Sequence, residues 1–138
     1  MDKKKILFVC TGNSVRSQMA EAILKNKDLD KYEVYSAGSH PASIHKFTRQ
    51  TLQENGINKI HFTSNSVDEF SDKDLDEVII LCEVAYHYLP EFSTNPKITK
   101  WFMDDPINIV GREEKQKQGF QMAFNQIKNR IEEHFEVK

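Results

Sequence analysis

The sequence predicts an α/β fold: a single doubly wound sheet of four parallel strands in the order 2-1-3-4, with helices on both faces. Short apolar runs alternate along the chain with segments of helical periodicity, which is the pattern of a parallel sheet covered by helices. Right-handed crossovers between successive strands favour this order. The 138 residues suit one domain, and no repeat or linker divides them, so we predict a single domain over residues 1–138.

In the first half of the chain, each predicted strand is followed by a predicted helix. The uninterrupted apolar run from Ile6 to Val9 predicts the first strand. Gly56 is expected to end the second helix, because glycine readily adopts the left-handed conformation found after a helix C-terminus. The strands are expected at residues 4–9 and 33–36, and the helices at residues 17–27 and 44–55.

The second half continues this alternation and ends in the most regular helix of the sequence. Apolar residues recur there at helical spacing with charged residues between them: Phe120, Phe124, Ile127, Ile131 and Phe135. Pro90 is expected to end the preceding short helix, and Trp101 to pack in or near the core. The expected elements are short helical turns within residues 66–76, a strand at 77–81, a helix at 84–88, a strand at 98–102 and the last helix at 113–135.

Composition argues against several classes of function. A formal net charge of −2 gives no support for binding nucleic acid or an anionic membrane. There is no long apolar stretch and no signal-peptide core, so we expect a cytoplasmic protein. The five histidines have no metal-ligand spacing, and the two cysteines fit neither a metal site nor a secreted disulfide framework. In a reducing compartment, such cysteines are more naturally catalytic or redox-active.

The most informative segment joins the first strand to the first helix. Backbone N–H groups of such a loop converge on one centre, and the helix dipole adds partial positive charge there. Arg16 adds a planar guanidinium that suits a tetrahedral oxyanion. The same groups favour the thiolate of Cys10, the nucleophilic form of cysteine. We therefore predict that an oxyanion binds to the loop formed by Cys10, Thr11, Gly12, Asn13, Ser14, Val15, Arg16 and Ser17.

Individual residues of this loop have expected roles. Gly12 permits a positive φ and a close approach of the backbone to a ligand, and Asn13 tolerates the left-handed region. Ser17 is expected to hydrogen-bond the Cys10 thiolate and to serve as an N-cap. A chance pairing of cysteine and arginine is the alternative, and the strand before the loop and the helix after it argue against chance.

The predicted strand order brings a second cysteine and an acid to the same edge of the sheet. Cys82 ends the third strand, and Asp104 and Asp105 follow the fourth, while ligands of such sheets bind beyond the carboxyl ends of the strands. Asp105 either protonates a departing oxygen or belongs, with Pro106, to a simple turn. Cys82 is either redox-active or a small apolar residue that finishes a buried strand.

Six segments follow one another in order over nearly the whole chain, at residues 10–17, 17–22, 35–38, 80–82, 89–90 and 101–106. Together they resemble low-molecular-weight protein tyrosine phosphatases and, more closely, the related thioredoxin-coupled arsenate reductases. The resemblance implies the doubly wound phosphatase fold and a reaction in which Cys10 attacks arsenate, Cys82 attacks the adduct and arsenite leaves. It further implies that Arg16 binds the anion and that Asp105 is the acid.

The chain departs from this family pattern in its redox residues. Thioredoxin-coupled members have a third cysteine where this chain has Leu89, so their usual relay to a surface disulfide cannot form here. A disulfide between Cys10 and Cys82 would then be reduced directly by thioredoxin, glutaredoxin or a low-molecular-weight thiol. Alternatively, a small thiol attacks the Cys10 adduct itself. Val15 occupies a position that often carries a further cysteine.

Two further departures concern substrate and cofactor. Tyrosine phosphatases usually follow their Asp-Pro pair with aromatic residues that contact the substrate ring, whereas Ile107 and Asn108 stand there in this chain. No cofactor is expected beyond a thiol co-substrate, although some reductases hold a potassium ion. The residues that match this potassium site are Asn13, Glu21, Ser36 and Asn65, of which the last replaces an aspartate.

Three functions therefore remain open from the sequence. The first is an arsenate reductase in which Cys82 or an external thiol resolves the Cys10 adduct. The second is a low-molecular-weight protein tyrosine phosphatase with a Cys10 phospho-enzyme, and the third is a non-catalytic oxyanion-binding or redox-sensing protein. Cys82 favours the first, Leu89 somewhat favours the second, and the joint presence of nucleophile, arginine and acid argues against the third.

Overall fold

A four-stranded parallel sheet forms the centre of the structure, a computed structural model that describes residues 2–137. The strands are β1 (Lys4–Cys10), β2 (Tyr32–Gly38), β3 (Glu77–Ile80) and β4 (Lys97–Lys100), in the order β2-β1-β3-β4. Because β1 pairs with both β2 and β3, its residues Ile6 to Val9 are buried on both faces, which explains their continuous apolar run. The predicted sheet and strand order are confirmed.

Helices and turns connect the strands and cover the sheet. The α-helices of the described residues are α1 (Arg16–Lys27), α2 (Lys46–Glu54), α3 (Glu83–Tyr86) and α4 (Glu113–His134). Two 3₁₀ turns lie at Val67–Phe70 and Pro106–Asn108. Within residues 2–137, no helix has the length and apolar character needed to cross a membrane.

Aromatic contacts show that both faces of the sheet are covered. Phe8 of β1 contacts Phe135, which directly follows α4. Tyr35, the partner of Leu7 in the β1–β2 register, contacts Phe70 of the first 3₁₀ turn. Successive strand residues point to opposite faces, so Phe8 and Leu7 mark the two sides of the sheet. The end of α4 therefore packs on one face and the 3₁₀ turn on the other.

The carboxyl edge of the sheet holds the segments in which the sequence predicts site residues. Cys10 is the last residue of β1. One further hydrogen bond, from the Leu81 N–H to the Val9 carbonyl at 2.8 Å, extends the pairing of β3 with β1, and Cys82 follows directly. Asp105 lies in the connection between β4 and α4. The topology thus brings both cysteines and the acid-bearing segment to one edge.

The bounds of several elements differ from those predicted. The helix predicted at 84–88 begins immediately after Cys82, as α3, and a simple turn follows it, with the Tyr88 N–H donating to the Ala85 carbonyl. The strand predicted at 98–102 ends at Lys100, and the buried Trp101 lies outside it. Only four residues of the predicted 66–76 turns form a 3₁₀ helix. These bounds depend on tertiary contacts, which local patterns do not specify.

Candidate active site

The loop after β1 directs its carbonyl groups toward a neighbouring segment. The backbone N–H groups of Ser39, His40 and Ala42 donate to the carbonyls of residues 10, 11 and 12, respectively, at 2.8–3.2 Å. No described residue accepts a hydrogen bond from the backbone N–H groups of residues 11–15. Those N–H groups, together with the first turn of α1, therefore form a set of free donors of the kind that binds anions.

Two residues shape the backbone of this loop: Asn13 within it and Gly38 beside it. Asn13 adopts the left-handed conformation, with φ of 49°, as predicted, whereas Gly12 does not use the positive φ that glycine permits. A close approach of strand and loop backbones depends on Gly38, the last residue of β2. A Cβ at Gly38 would stand 2.6 Å from the Thr11 carbonyl oxygen and 2.8 Å from the Asn13 nitrogen. A glycine that ends the strand beside the loop is the sequence signal that could have identified it.

A buried chain of hydrogen bonds orients the hydroxyl group next to Cys10. The backbone N–H of Asn65 donates to Asn13 Oδ1 at 2.8 Å, which fixes the side-chain amide of Asn13. Asn13 Nδ2 therefore donates to Ser17 Oγ at 2.7 Å and to Ser36 Oγ at 2.9 Å. Ser17 Oγ lies 3.0 Å from Cys10 Sγ. Having accepted from Asn13, Ser17 has its own hydrogen available for the sulfur, an arrangement that suits a thiolate acceptor.

This arrangement also corrects the predicted N-cap. Ser17 is the second residue of α1, and Val15 occupies the N-cap position without a side-chain hydrogen bond. The Ser17 hydroxyl does not cap the helix because it lies between Asn13 and Cys10. Both Cys10 and Ser17 are almost completely buried.

Arg16 joins the anion-binding loop to the segment that carries the predicted acid. Its Nη1 donates to the Met103 carbonyl at 2.9 Å, and its Nη2 lies 3.2 Å from Asp105 Oδ2. The residue is 5% exposed, and its Nε is buried without a hydrogen-bond partner. A buried guanidinium nitrogen without an acceptor is costly, so a bound oxyanion would satisfy a donor that the described residues leave unpaired.

Asp105 lies within reach of this site, whereas Asp104 is exposed to solvent. One carboxylate oxygen of Asp105 pairs with Arg16, and the other accepts a hydrogen bond from the Ile107 N–H at 3.1 Å. Asp105 therefore caps the 3₁₀ turn that begins at Pro106, so the two alternatives left by the sequence are compatible. It is a turn residue whose carboxyl group is also held beside the anion-binding arginine.

Cys82, which lies between β3 and α3, contacts the same loop. Its sulfur lies 3.0 Å from the hydroxyl of Thr11, the residue that follows Cys10. Cys82 is 5% exposed and occupies the N-cap position of α3 without capping it by a side-chain hydrogen bond. Both cysteines are free thiols. Thr11 thus links the second cysteine to the loop that carries the first.

The residues that match the potassium site of some reductases lie together and are joined by hydrogen bonds. Asn65 Nδ2 donates to the Ser36 carbonyl at 3.3 Å, and the Ser36 hydroxyl donates to Glu21 Oε1. The other Glu21 oxygen pairs with the ammonium group of Lys25. Each of these three oxygens therefore already has a protein donor, with which a cation bound here would compete. Among residues 2–137, no cluster of three His, Cys, Asp or Glu side chains could hold a metal.

His45 is a residue near the site that sequence analysis did not identify. Its ring Nδ1 accepts a hydrogen bond from the Phe47 N–H at 3.0 Å and so caps α2. The backbone N–H of His45 donates to the Ser14 carbonyl at 3.3 Å. Burial lowers the pKa of His45, and the charge of Lys46 lowers it further, against an opposing effect of Asp105. No short sequence pattern indicates a histidine N-cap, because Asn, Asp, Ser and Thr are the usual ones.

Residues 5–137 match the model of the family described as low molecular weight phosphotyrosine protein phosphatase. The chain belongs to this phosphatase family. Within it, the chain is 36% identical to the arsenate reductase of Bacillus subtilis (strain 168) over 137 residues, 99% of each protein. The family match includes all of the sheet except Lys4, and every residue of the site described above.

Solved structures of phosphatase-family members have the same fold. An arsenate reductase in the phosphate binding state has a TM-score of 0.81 at 32% identity, with 96% of this chain and 97% of that chain covered. A thioredoxin-dependent arsenate reductase from Corynebacterium glutamicum has a TM-score of 0.73 at 26% identity, with 97% of this chain and 61% of that chain covered. The predicted resemblance to the arsenate reductases of this family is confirmed.

Proposed function

We propose that this protein is an arsenate reductase with Cys10 as its nucleophile. The observation that carries the proposal is the placement of two free cysteines at one anion-binding loop: the Ser17 hydroxyl lies beside the Cys10 sulfur, and the sulfur of Cys82, which follows β3, bonds to the Thr11 hydroxyl. A phosphatase needs only the first thiol. The relatives that share the whole length of the chain are arsenate reductases, which supports the use of the second.

In the first step, the Cys10 thiolate attacks the arsenic atom of arsenate. A sulfur–arsenic bond forms and one arsenic–oxygen bond breaks, with its electron pair leaving on the oxygen. The departing oxygen is a hydroxyl of arsenate, and the protonated form of Asp105 supplies the second proton, so that it leaves as water. The free N–H groups of the loop and the Arg16 guanidinium stabilise the charge on the remaining oxygens.

In the second step, the Cys82 thiolate attacks the Cys10 sulfur of the adduct. A disulfide bond forms and the sulfur–arsenic bond breaks, with its electron pair remaining on arsenic. Arsenic is thereby reduced from the pentavalent to the trivalent state and leaves as arsenite, while the two cysteines together lose two electrons. An external dithiol then reduces the disulfide and becomes a disulfide itself.

The external reductant is a protein or small molecule that reacts with Cys82 or Cys10 directly. Leu89 occupies the place of a relaying cysteine and is partly buried against the core, so no third thiol carries the disulfide outward. Thioredoxin, glutaredoxin and a low-molecular-weight thiol are the candidate donors. The Corynebacterium glutamicum relative is thioredoxin-dependent, which supports thioredoxin as the first donor to test. Two free thiols suit a reducing compartment, so we place the protein in the cytoplasm.

We also propose that the reaction needs no potassium ion. The oxygens that would bind it already accept protein hydrogen bonds or the Lys25 ammonium group. Exchange of potassium chloride for sodium chloride at constant ionic strength should therefore leave the turnover rate unchanged. A severalfold loss of activity in sodium would show that the hydrogen-bond network opens to admit the ion.

A phosphatase reaction is the second candidate, because Cys10, Arg16 and Asp105 also suit phosphate monoester hydrolysis through a phospho-enzyme. Ile107, which follows the Asp-Pro pair, is aliphatic and half exposed, so no aromatic side chain stands there to contact a phenyl ring. This argues against phosphotyrosine as the main substrate. Small aryl phosphates remain useful probes of the first step alone.

The decisive experiment measures arsenate reduction with thioredoxin, glutaredoxin and small thiols beside aryl-phosphate hydrolysis. We expect arsenite to form with at least one donor, and a Cys10–Cys82 disulfide to appear in peptide mass spectra when no donor is added. Cys82→Ser should abolish that disulfide and nearly all arsenite release, yet leave aryl-phosphate hydrolysis almost unchanged.

Other outcomes would select the alternatives. Normal reduction by Cys82→Ser with a small thiol would mean that the adduct is resolved from outside. Phosphate-ester hydrolysis without arsenate turnover would establish the phosphatase. Anion binding without either reaction would leave an oxyanion-binding or redox-sensing protein.

A further inference from the structure

An aromatic contact joins the segment after β2 to the segment after α3. The rings of His40 and Tyr88 meet edge to face, with centroids 4.9 Å apart and planes inclined by 81°. Both residues lie at the surface, and Tyr88 is 59% exposed. The His40 ring also bonds through Nδ1 to the Ser39 hydroxyl at 3.0 Å, so it is oriented toward Tyr88 from its own segment.

Backbone hydrogen bonds connect His40 to the anion-binding loop and Tyr88 to the segment that follows Cys82. The His40 N–H donates to the Thr11 carbonyl at 2.8 Å, and the same Thr11 bonds through its hydroxyl to Cys82 Sγ at 3.0 Å. The Tyr88 N–H donates to the Ala85 carbonyl at 3.1 Å within the turn that ends α3. The aromatic contact and the Thr11–Cys82 hydrogen bond therefore connect the same two parts of the chain.

The segment that carries Cys82 is weakly held by its own secondary structure. α3 contains four residues, and its N-cap, Cys82, makes no side-chain capping bond. A helix of this length is not stable by itself, so tertiary contacts decide where it lies. Ala85 is fully buried and anchors its inner side, whereas Val84 and Tyr88 project from it. The contact of Tyr88 with His40 thus helps to hold the segment that carries Cys82 beside the anion-binding loop.

The contacts of Cys82 limit the access of other thiols to its sulfur. Cys82 is 5% exposed and bonded to Thr11, so its sulfur becomes more accessible when it leaves Thr11. The side chains of the first step have partners elsewhere: Ser17 and Asn13 near Cys10, and Asp105 near Arg16. Opening of the aromatic contact would change the second step and not the first.

We propose that the His40–Tyr88 contact is a latch that holds Cys82 on Thr11 and sets the rate at which it is released. The proposal rests on the proposed function, in which Cys82 forms a disulfide with Cys10 as trivalent arsenic leaves. His40 and Tyr88 are positioning residues, because they touch neither arsenic nor sulfur. Their removal should increase the population in which Cys82 is free to react.

The test measures alkylation of Cys82 by iodoacetamide, followed by mass spectrometry, with Cys10→Ser as the common background. Tyr88→Ala and His40→Ala should each raise the rate about two- to tenfold, the range that an aromatic pair contributes. The double variant should be no faster than the faster single one, because both remove one contact. Tyr88→Phe keeps the aromatic ring, and His87→Ala removes an exposed neighbour that does not contact His40. Both variants should therefore be alkylated at the rate of the Cys10→Ser background.

A second measurement follows single-turnover disulfide formation after addition of arsenate, with Cys10 restored and no reductant present. The alanine variants should form the Cys10–Cys82 disulfide faster by a similar factor and hydrolyse aryl phosphate at the wild-type rate. Unchanged or slower alkylation in both alanine variants would overturn the latch, as would a parallel loss of aryl-phosphate hydrolysis. Faster alkylation without any arsenate-driven disulfide, in wild type or variants, would support the latch and refute the proposed function.

Discussion

Substitution of Gly38 by alanine tests the idea that the anion-binding loop is shaped by a strand beside it. The new Cβ would lie 2.6 Å from the Thr11 carbonyl oxygen, 2.8 Å from the Asn13 nitrogen and 2.9 Å from the Gly12 carbonyl carbon. All three neighbours are backbone atoms of the loop, so no flexible side chain can move aside. The loop and β2 must separate instead.

The size of the effect follows from these distances. Ordinary contacts begin at 3.4 Å, so the Thr11 oxygen and the new Cβ must separate by about 0.8 Å. Overpacking of this kind costs about 1–3 kcal/mol of unfolding free energy. A displacement near 1 Å in a catalytic loop costs roughly a hundredfold in rate. We therefore expect Gly38→Ala to lower kcat for aryl-phosphate hydrolysis by about tenfold to a hundredfold, measured by steady-state kinetics beside urea unfolding.

Gly56→Ala is the matched control for this experiment. Gly56 has φ of +83°, so alanine there is strained by roughly 1 kcal/mol, but no atom lies within 4 Å of its new Cβ. It should destabilise the protein to a similar degree without displacing the loop, and kcat should stay near the wild-type value. Wild-type kcat in a folded Gly38→Ala protein would refute the argument, because it would show that the loop accommodates the Cβ without moving its donors.

Two further predictions concern Asp105 and His45. Asp105→Asn should slow aryl-phosphate and arsenate chemistry by about a hundredfold or more, the usual contribution of a general acid. It should also lower the unfolding midpoint, because one amide oxygen cannot accept from both the Ile107 N–H and the buried Arg16; near-normal turnover would leave Asp105 as a turn residue only. The lowered pKa of His45 means that the unfolded state binds more protons than the folded state as the pH falls through about 6.5, so stability should fall in that range. His45→Asn keeps an N-cap acceptor and should make the loss of unfolding free energy between pH 7.5 and about 5.5 smaller, which urea titrations at each pH would measure; an unchanged pH dependence would contradict this account.

The fold could be predicted from the sequence because its signals are local and repeated. The run from Ile6 to Val9 is apolar at every position since β1 is covered on both faces, and the last helix shows its buried stripe at helical spacing. Once a parallel sheet is inferred, the handedness of crossovers restricts the strand order. The placement of Cys10, Cys82 and the Asp105 segment at one edge of the sheet followed from that order and not from any direct contact.

The interior of the site could not be predicted in the same way, because its contacts join residues distant in sequence. The left-handed conformation of Asn13 was expected, but its side chain is held by the backbone N–H of Asn65, 52 residues away. Ser17 looks like an N-cap by position, yet its hydroxyl is occupied by Asn13. Gly38 matters only because β2 lies beside the loop. Each of these facts needs the folded structure.

The hydrogen bonds of the anion-binding loop suit the two steps of the proposed mechanism. The residues that would orient the nucleophile lie on the α1 side, where Asn13 and Ser17 direct a hydrogen toward the Cys10 sulfur. Thr11 holds the second thiol, because its hydroxyl bonds to Cys82. These two sets of hydrogen bonds share no side chain, so release of Cys82 from Thr11 would leave the hydrogen bonds around Cys10 in place. In the proposed mechanism, this separation would let the second thiol change its contacts while the nucleophile keeps its own.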